Sequence, residues 1–166
     1  MKIPCRILIF LLPFFINQRA SAQTGMAPPG PELVAGAGLL SIDRGEKQWL
    51  ASADWRFSSF KWNIRPWLGA AFAERGTWFL SAGVIYTLPM DSGWRMSVGF
   101  APTDYRAGNG KFLGESLEFY SFAEAGYVRT SGQVFNLRFG HISNAHLASY
   151  NPGTEVLMLS WSVPFH

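Results

Sequence analysis

The sequence of 166 residues predicts an all-β fold, an eight-stranded antiparallel transmembrane β-barrel of the outer-membrane type. Three observations predict this fold. Aromatic residues make up 16% of the chain and charged residues only 15%, and glycine occurs 17 times. Apolar residues recur with a period of two, as they do on one face of a β-strand. Short and long breaks alternate between the periodic segments, as the inner turns and outer loops of such barrels do.

The first 22 residues have the features of a secretory signal peptide, so we expect the barrel to comprise residues 23–166. Lys2 precedes the apolar stretch 7–16, and the segment ends in the small residues Ala-Ser-Ala. The apolar stretch is shorter than the roughly 20 residues that a transmembrane helix needs. The only cysteine, Cys5, lies in this segment, so we expect no disulfide in the mature chain.

The charge of the chain gives no support for a nucleic-acid partner. The formal net charge is +3, with 14 Lys and Arg residues against 11 Asp and Glu residues. Three of the cations, Lys2, Arg6 and Arg19, lie in the signal segment, so the mature chain has equal numbers of both charges. A strongly basic surface, which nucleic-acid binding requires, is therefore not expected.

Eight periodic segments are expected to be strands. They span approximately residues 31–43, 47–59, 61–73, 77–89, 93–103, 115–129, 132–143 and 154–165. The short breaks near Phe60, Asp91 and Ser131 are expected to be periplasmic turns, and the longer breaks at 104–114 and 144–153 outer loops. The break at 74–76 departs from this pattern, because it is short and yet falls on the outer side.

The predicted strands have one apolar face and one face of small or polar residues. In the fourth strand the apolar face carries Trp78, Leu80, Ala82, Val84, Tyr86 and Leu88, and in the last strand Leu157, Leu159, Trp161, Val163 and Phe165. The opposite faces of the strands carry Gly36, Gly38, Gly69, Gly83, Gly99, Gly126 and Gly140. Small inward residues suit a narrow eight-stranded interior, and closure leaves no sheet edge exposed to lipid.

Alternation alone does not say which face points outward. We expect the apolar face to contact lipid, and a charge network to form inside from Glu118, Glu124, Arg65, Arg95 and Arg138. The alternative is a soluble β-sandwich or a lipocalin-like barrel, in which the apolar face points inward.

Three polar residues interrupt the lipid-facing stripes near the outer rim. In the segment 135–143, His141 and Ser143 share a face with Phe135, Leu137 and Phe139. If both termini are periplasmic, the seventh strand runs outward and the eighth begins at the outer side near Glu155. Because Glu155 has the parity of Leu157, all three polar side chains are expected on adjacent strands, facing lipid.

These residue types can form the catalytic triad of a serine hydrolase. Ser143 is the candidate nucleophile, His141 the general base and Glu155 the carboxylate that orients the imidazole. Asn144 is the candidate oxyanion donor, through its side chain or its main chain. The alternatives are an ordinary histidine–carboxylate pair at a membrane rim, and His146 as a rival base. A metal site at His141, His146 and Glu155 has no supporting ligand spacing.

The segment His141-Ile142-Ser143-Asn144-Ala145, followed twelve residues after Ser143 by Glu155, resembles the lipid A 3-O-deacylase (PagL-type) family. The resemblance implies an eight-stranded barrel with a Ser143–His141–Glu155 triad. It also implies hydrolysis of the ester-linked 3-hydroxyacyl chain at position 3 of lipid A, in the outer leaflet of the bacterial outer membrane. No metal or cofactor is needed for this reaction, and the partners are lipopolysaccharide and outer-membrane lipids.

Other functions remain open from the sequence. These are a structural or adhesion barrel without activity, and a phospholipase or acyltransferase of the outer membrane. A homodimeric assembly is open as well. Arg44, Lys47, Arg106 and Lys111 are candidate contacts for the lipid A phosphates, because they lie in the predicted outer loops or rims.

Overall fold

The structure, a computed structural model, describes residues 30–42, 47–90 and 93–165. They form one closed antiparallel barrel in which each strand pairs with the next and the last pairs with the first, as predicted. The strands are β1 Glu32–Leu40, β2 Gln48–Arg56, β3 Ile64–Ala73, β4 Trp78–Pro89, β5 Trp94–Arg106, β6 Leu117–Val128, β7 Val134–Ser143 and β8 Thr154–Pro164. The predicted signal peptide, Arg44 and Asp91 lie outside the described residues.

Two short 3-10 turns interrupt the strand pattern, at Lys61–Asn63 and Glu74–Gly76. The first was predicted as the start of the third strand, but Trp62 and Asn63 have positive φ, so β3 begins at Ile64. Within the described ranges, no helix is long and apolar enough to cross a membrane.

The apolar faces of the strands point outward, as predicted. Leu80, Val84 and Leu88 on β4 are exposed, as are Leu157, Leu159 and Trp161 on β8. On the same strands the alternate positions Ser81, Thr87, Ser160 and Ser162 are buried in the interior. An exposed surface this apolar is stable only against lipid, which fits a membrane barrel and not a soluble one.

Ion pairs fill the end of the interior near the first residues of β1, β3 and β5. Glu32 accepts two hydrogen bonds from Arg95, at 2.7 and 3.1 Å, and contacts Arg65 at 3.2 Å. Glu124 accepts two from Arg56, at 2.9 and 2.8 Å. Arg138 joins Glu124 to Asp54, at 3.0 and 2.7 Å. The predicted interior charge network therefore exists, and it also includes Glu32, Asp54 and Arg56.

Glu118 was predicted to belong to that network, but it lies elsewhere. It is fully buried near the outer end of β6, where Oε1 accepts a hydrogen bond from the main chain of Glu115 at 3.3 Å. The outer half of the interior around it contains a cluster of large apolar side chains beside polar ones such as Gln48 and Thr103, whereas an inner face of small or polar residues was expected. The buried members of this cluster include Leu40, Leu50, Trp67, Phe79, Tyr105, Tyr120, Phe122 and Ile142.

The inward glycines make room for these large side chains. A Cβ atom on Gly99 would collide with the Phe122 ring, and one on Gly140 would collide with the Tyr120 ring. Large and small residues therefore alternate around the wall and fill a narrow barrel. Among the described residues, packed side chains fill this half of the interior, so the surface available for chemistry on a lipid is the outer wall and its rim.

The fifth strand is longer than predicted and ends at Arg106, not at position 103. Tyr105 points inward and is buried, whereas Asp104 and Arg106 point outward and form an ion pair at 2.9 Å. The alternation continues, but the outward face changes from apolar to charged. This change is expected where a strand leaves the hydrocarbon region.

Candidate active site

β7 and β8 bring His141 and Glu155 together at the outer end of the wall. The two residues are direct partners in the antiparallel register. Nδ1 of His141 lies 3.3 Å from Oε1 of Glu155. Because a carboxylate only accepts, this hydrogen bond places the imidazole proton on Nδ1 and leaves the lone pair on Nε2. The imidazole is therefore held in the tautomer that a general base requires.

The pair faces outward, where a lipid can reach it. The His141 side chain is 46% exposed and the Glu155 side chain 17%. Below them on the same face, Leu137 and Leu157 are exposed apolar residues on the same two strands. The base is therefore accessible from the lipid side and not from the barrel interior.

Ser143 is the last residue of β7 and is half-buried on the same outward face as His141. Two residues along a strand correspond to about 7 Å between Cα atoms. Among the described residues, no hydrogen bond joins the Ser143 hydroxyl to the imidazole. Catalytic hydrogen bonds are often long without substrate and tighten when it binds. The structure thus places Ser143 beside the His141–Glu155 pair without the completed contact.

The position of Nε2 distinguishes two neighbouring hydroxyls. Ser121 on β6 is the direct register partner of His141. Gly153, however, directly precedes Thr154, the register partner of Ile142, and the Nε2 edge of the ring lies over Gly153. An ideal Cβ on Gly153 would come within 2.9 Å of Nε2. Nε2 of His141 therefore points towards β8 and away from Ser121 on β6, on the side of the ring nearer to Ser143.

Asn144 is buried and faces the inside of the outer loops. Its Nδ2 donates to the carbonyl oxygens of Leu113 and Tyr150, at 3.1 and 2.9 Å. Its Oδ1 accepts from the main chain of His146 at 3.0 Å, and its own N–H donates to Oδ1 of Asn151 at 3.2 Å. The Asn144 side chain thus joins the β5–β6 loop to the β7–β8 loop. This role was not predictable from the sequence, because the direction of a loop side chain does not follow from strand parity.

The two loops also meet on the outside. Phe112 and Tyr150 stack with their ring centroids 6.2 Å apart and their planes 12° apart. Leu113 beneath them is fully buried. Because β8 begins directly after the second loop, this packing fixes the start of the strand that carries Glu155.

His146, the rival base, lies in the loop and not on the wall. Its Nδ1 is 3.4 Å from Nδ2 of Asn151, and its backbone φ is +65°. The geometry therefore gives no support for His146 as a partner of Ser143.

Within the described parts of the chain, no group of three or more His, Cys, Asp or Glu side chains is placed to hold a metal ion.

Two grooves on the outer wall have lining residues on β7. One of about 340 Å³ begins at His141 and passes Phe139 and Val98. The other, of about 420 Å³, lies between Leu137, Leu157 and Trp49 and is lined by neither His141 nor Glu155. A larger groove of about 660 Å³ has no lining residue on β7 or β8, so it is not part of this site.

Three of the four candidate phosphate contacts, Lys47, Arg106 and Lys111, lie among the described residues. Arg106 is exposed and pairs with Asp104, and one of its nitrogens donates to Ser116 at 3.2 Å. Lys111 lies in the β5–β6 loop, where its carbonyl oxygen accepts a hydrogen bond from Tyr105. Lys47 is exposed just before β2. A role of these residues in phosphate binding stays a prediction.

Comparison with known proteins connects this barrel to a family of enzymes. The family model described as "Lipid A 3-O-deacylase (PagL)" matches residues 36–164, which include every candidate site residue. No curated protein sequence matches the chain significantly.

Solved structures share the fold. The outer membrane enzyme PagL is 23% identical, with a TM-score of 0.62 over 81% of this chain and 99% of that chain. Neisserial surface protein A is 12% identical, with a TM-score of 0.60 over 81% and 96%. A de novo designed transmembrane β-barrel is 9% identical, with a TM-score of 0.59 over 83% and 98%. At these identities the structural similarities show the barrel, and only the family model points to an activity.

Proposed function

Because the chain belongs to the lipid A 3-O-deacylase (PagL) family, whose model matches residues 36–164, we propose that it is a serine esterase of the outer membrane. Its substrate in this proposal is the ester-linked 3-hydroxyacyl chain at position 3 of lipid A in the outer leaflet. The observation that carries the proposal is the 3.3 Å hydrogen bond between His141 and Glu155 on the lipid-facing wall, two residues along β7 from Ser143.

The proposed reaction begins with attack of Ser143 Oγ on the ester carbonyl carbon. Nε2 of His141 takes the hydroxyl proton, and the Glu155 carboxylate stabilises the resulting imidazolium. The tetrahedral intermediate then expels the sugar oxygen, which takes the proton from Nε2. The acyl chain remains on Ser143 as an ester. Water, deprotonated by His141, attacks this ester and releases the 3-hydroxy fatty acid and the free serine.

The oxyanion needs a hydrogen-bond donor next to the nucleophile. The Asn144 side chain is engaged with two buried carbonyl groups of the loops, so we assign this role to the Asn144 main-chain N–H. That N–H directly follows Ser143 and exchanges its bond to Asn151 Oδ1 for the oxyanion. A main-chain donor after the nucleophile is a common solution in serine hydrolases.

Location supports the choice of substrate. The proposed triad residues belong to the predicted outer end of a wall whose outward residues are apolar, and lipid A occupies the outer leaflet of the outer membrane. Acyl chains of a membrane lipid contact Leu137 and Leu157 without leaving the bilayer, and the ester at their head is then level with His141. Residues 1–22 act as the export signal in this proposal.

The test is to express the full chain in bacteria whose lipid A keeps its 3-linked acyl chain and to measure the mass of the extracted lipid A. Wild-type protein is expected to remove one 3-hydroxyacyl chain, and Ser143→Ala is expected to remove none. Ser121→Ala is the matched control, because it removes the other hydroxyl next to His141, and it is expected to retain activity. The mature chain from the same cells is expected to begin at Gln23.

The outcomes separate the alternatives. Acyl-chain loss that persists in Ser143→Ala but disappears in Ser121→Ala would reject the assigned nucleophile. Unchanged lipid A together with cleaved glycerophospholipids would reject the substrate and favour a phospholipase. Unchanged lipids of both kinds would favour a structural barrel.

A further inference from the structure

We propose that Gly153 is a positioning residue for the base: its missing side chain leaves the space that the His141 imidazole must occupy to reach Ser143. This inference rests on the proposed triad. It concerns the reaction through His141, because Gly153 itself carries no reactive group.

The space above Gly153 is occupied by the imidazole edge. An ideal Cβ at this position would lie 2.6 Å from Cε1 and 2.9 Å from Nε2 of His141. Distances below 3.0 Å are not found for real Cβ atoms, so either the ring or the strand would have to move. The affected edge is the one that carries the lone pair, because Nδ1 on the other side contacts Glu155.

The register explains why this edge matters. His141 and Glu155 face each other, and Ile142 and Thr154 form the next and last pair of this register. Gly153 directly precedes Thr154, as Ser143 directly follows Ile142, and an ideal Cβ on Gly153 would lie 3.5 Å from the Ile142 carbonyl oxygen. Gly153 is therefore at the Ser143 end of the His141–Glu155 pair, and a ring nitrogen near the Gly153 Cβ position is on the side of the imidazole that approaches Ser143. A methyl group in this space would separate the base from the nucleophile.

Backbone conformation is a second reason for glycine at position 153. An experiment has to separate this reason from the space that the imidazole occupies. Gly153 has φ +60°, which disfavours most side chains regardless of space. Gly76 has a similar positive φ, +73°, in the turn between β3 and β4 on the same side of the barrel. A Cβ on Gly76 would meet no atom within 4 Å. Gly76 therefore provides a control with a similar positive φ and no contact with the imidazole.

The experiment compares Gly153→Ala with Gly76→Ala in the full-length protein, both refolded into lipid vesicles that contain lipid A. Displacing a catalytic group by about 1 Å costs about 100-fold in rate. We expect kcat of Gly153→Ala to fall by about that factor with little change in KM, and Gly76→Ala to stay within about twofold of wild type. Equal losses in the two variants, or full activity in Gly153→Ala, would overturn the proposal.

Two further readouts separate positioning from folding. The chain has three histidines, so ¹⁵N-histidine spectra resolve the rings individually. The His141 ring signals are expected to shift in Gly153→Ala and not in Gly76→Ala, with the His146 signals unchanged in both. In addition, Gly153→Ala is expected to cause no further loss when His141 is already Ala, because both changes remove the same base. A further loss in that background would contradict the proposal.

Asn tolerates positive φ better than Ala, so Gly153→Asn and Gly76→Asn repeat the comparison if the Ala variants do not fold. Failure of both Gly153 variants to fold, while the Gly76 variants fold, would mean that Gly153 serves the backbone alone, which overturns the inference. If wild-type protein leaves lipid A intact, the proposed function fails, whereas the His141 ring spectra still decide whether Gly153 sets the position of the imidazole.

Discussion

At the scale of single residues, the site depends on how one imidazole is held. Two neighbours contact His141 from different sides: Glu155 on Nδ1 and Gly153 beneath the Nε2 edge. Strand parity and direction were sufficient to predict that His141 and Glu155 face outward on adjacent strands. The close approach of Gly153 was not predictable in this way, because it depends on the rotamer of the ring.

Replacing Glu155 with Gln tests the carboxylate directly. Glutamine has the same size but no negative charge, so it neither stabilises the imidazolium nor enforces the proton on Nδ1. From comparable changes in other serine hydrolases, kcat is expected to fall on the order of 10³- to 10⁴-fold with folding unchanged. The measurement is the rate of lipid A deacylation by purified protein in vesicles.

Glu74→Gln is the matched control for this change. Glu74 is an exposed carboxylate at the same end of the barrel, where it accepts a hydrogen bond from the Trp49 main chain at 3.1 Å, and Gln can still accept it. We expect wild-type activity from this variant. Activity of Glu155→Gln within about tenfold of wild type would show that the carboxylate is not part of the catalytic machinery.

At the scale of elements, the strands were largely predictable and their junctions were not. Period-two patterns located all eight strands, because each has to present an apolar face to lipid throughout its length. The pattern failed at Asp104–Arg106, where the outward face is charged, and at Lys61–Asn63, where positive φ values end the alternation. The apolar cluster in the interior was not predicted, because Trp67 shares an inward face with Arg65, and Phe122 shares one with Glu124. Only the register of the strands shows that the apolar and the charged side chains lie at different levels along the barrel axis.

The link between the two outer loops is a prediction at this scale. In Asn144→Ala the buried carbonyl groups of Leu113 and Tyr150 lose their donor, which costs about 1–3 kcal/mol of folding free energy. We expect faster proteolysis within 107–116 and 144–153, and a fall in kcat of about tenfold. Urea unfolding, protease digestion and deacylation rates of the same sample provide the measurements.

The size of the rate effect distinguishes the two roles of Asn144. Removing an oxyanion donor costs about 10²- to 10³-fold in kcat. A loss that large with both loops still resistant to protease would mean that the side chain, and not the main chain, stabilises the oxyanion. Asn109→Ala, a change at an exposed position in the β5–β6 loop, is expected to alter neither property.

At the scale of the whole molecule, function follows from which side of the wall faces lipid. In the described part of the chain, paired charges fill one half of the interior and packed aromatic rings much of the other, so lipid meets the outside of the barrel. The outer wall is apolar and meets the bilayer directly. The proposed esterase would need no lid or tunnel, because a membrane lipid diffuses in the same two-dimensional layer as the outer wall.

This orientation leads to a prediction that uses two equally exposed leucines. Leu159 is 68% exposed at the middle of β8, and Leu147 is 66% exposed in the β7–β8 loop. Arginine near the bilayer midplane of a barrel costs about 2–4 kcal/mol, whereas a surface change away from special contacts costs about 0.5 kcal/mol or less. We therefore expect Leu159→Arg to lower the free energy of unfolding from lipid vesicles by the larger amount and Leu147→Arg by the smaller. Equal small effects, measured by urea titration of folded protein in vesicles, would mean that β8 does not contact lipid, and a lipid-facing esterase could not then be built from Glu155 on that strand.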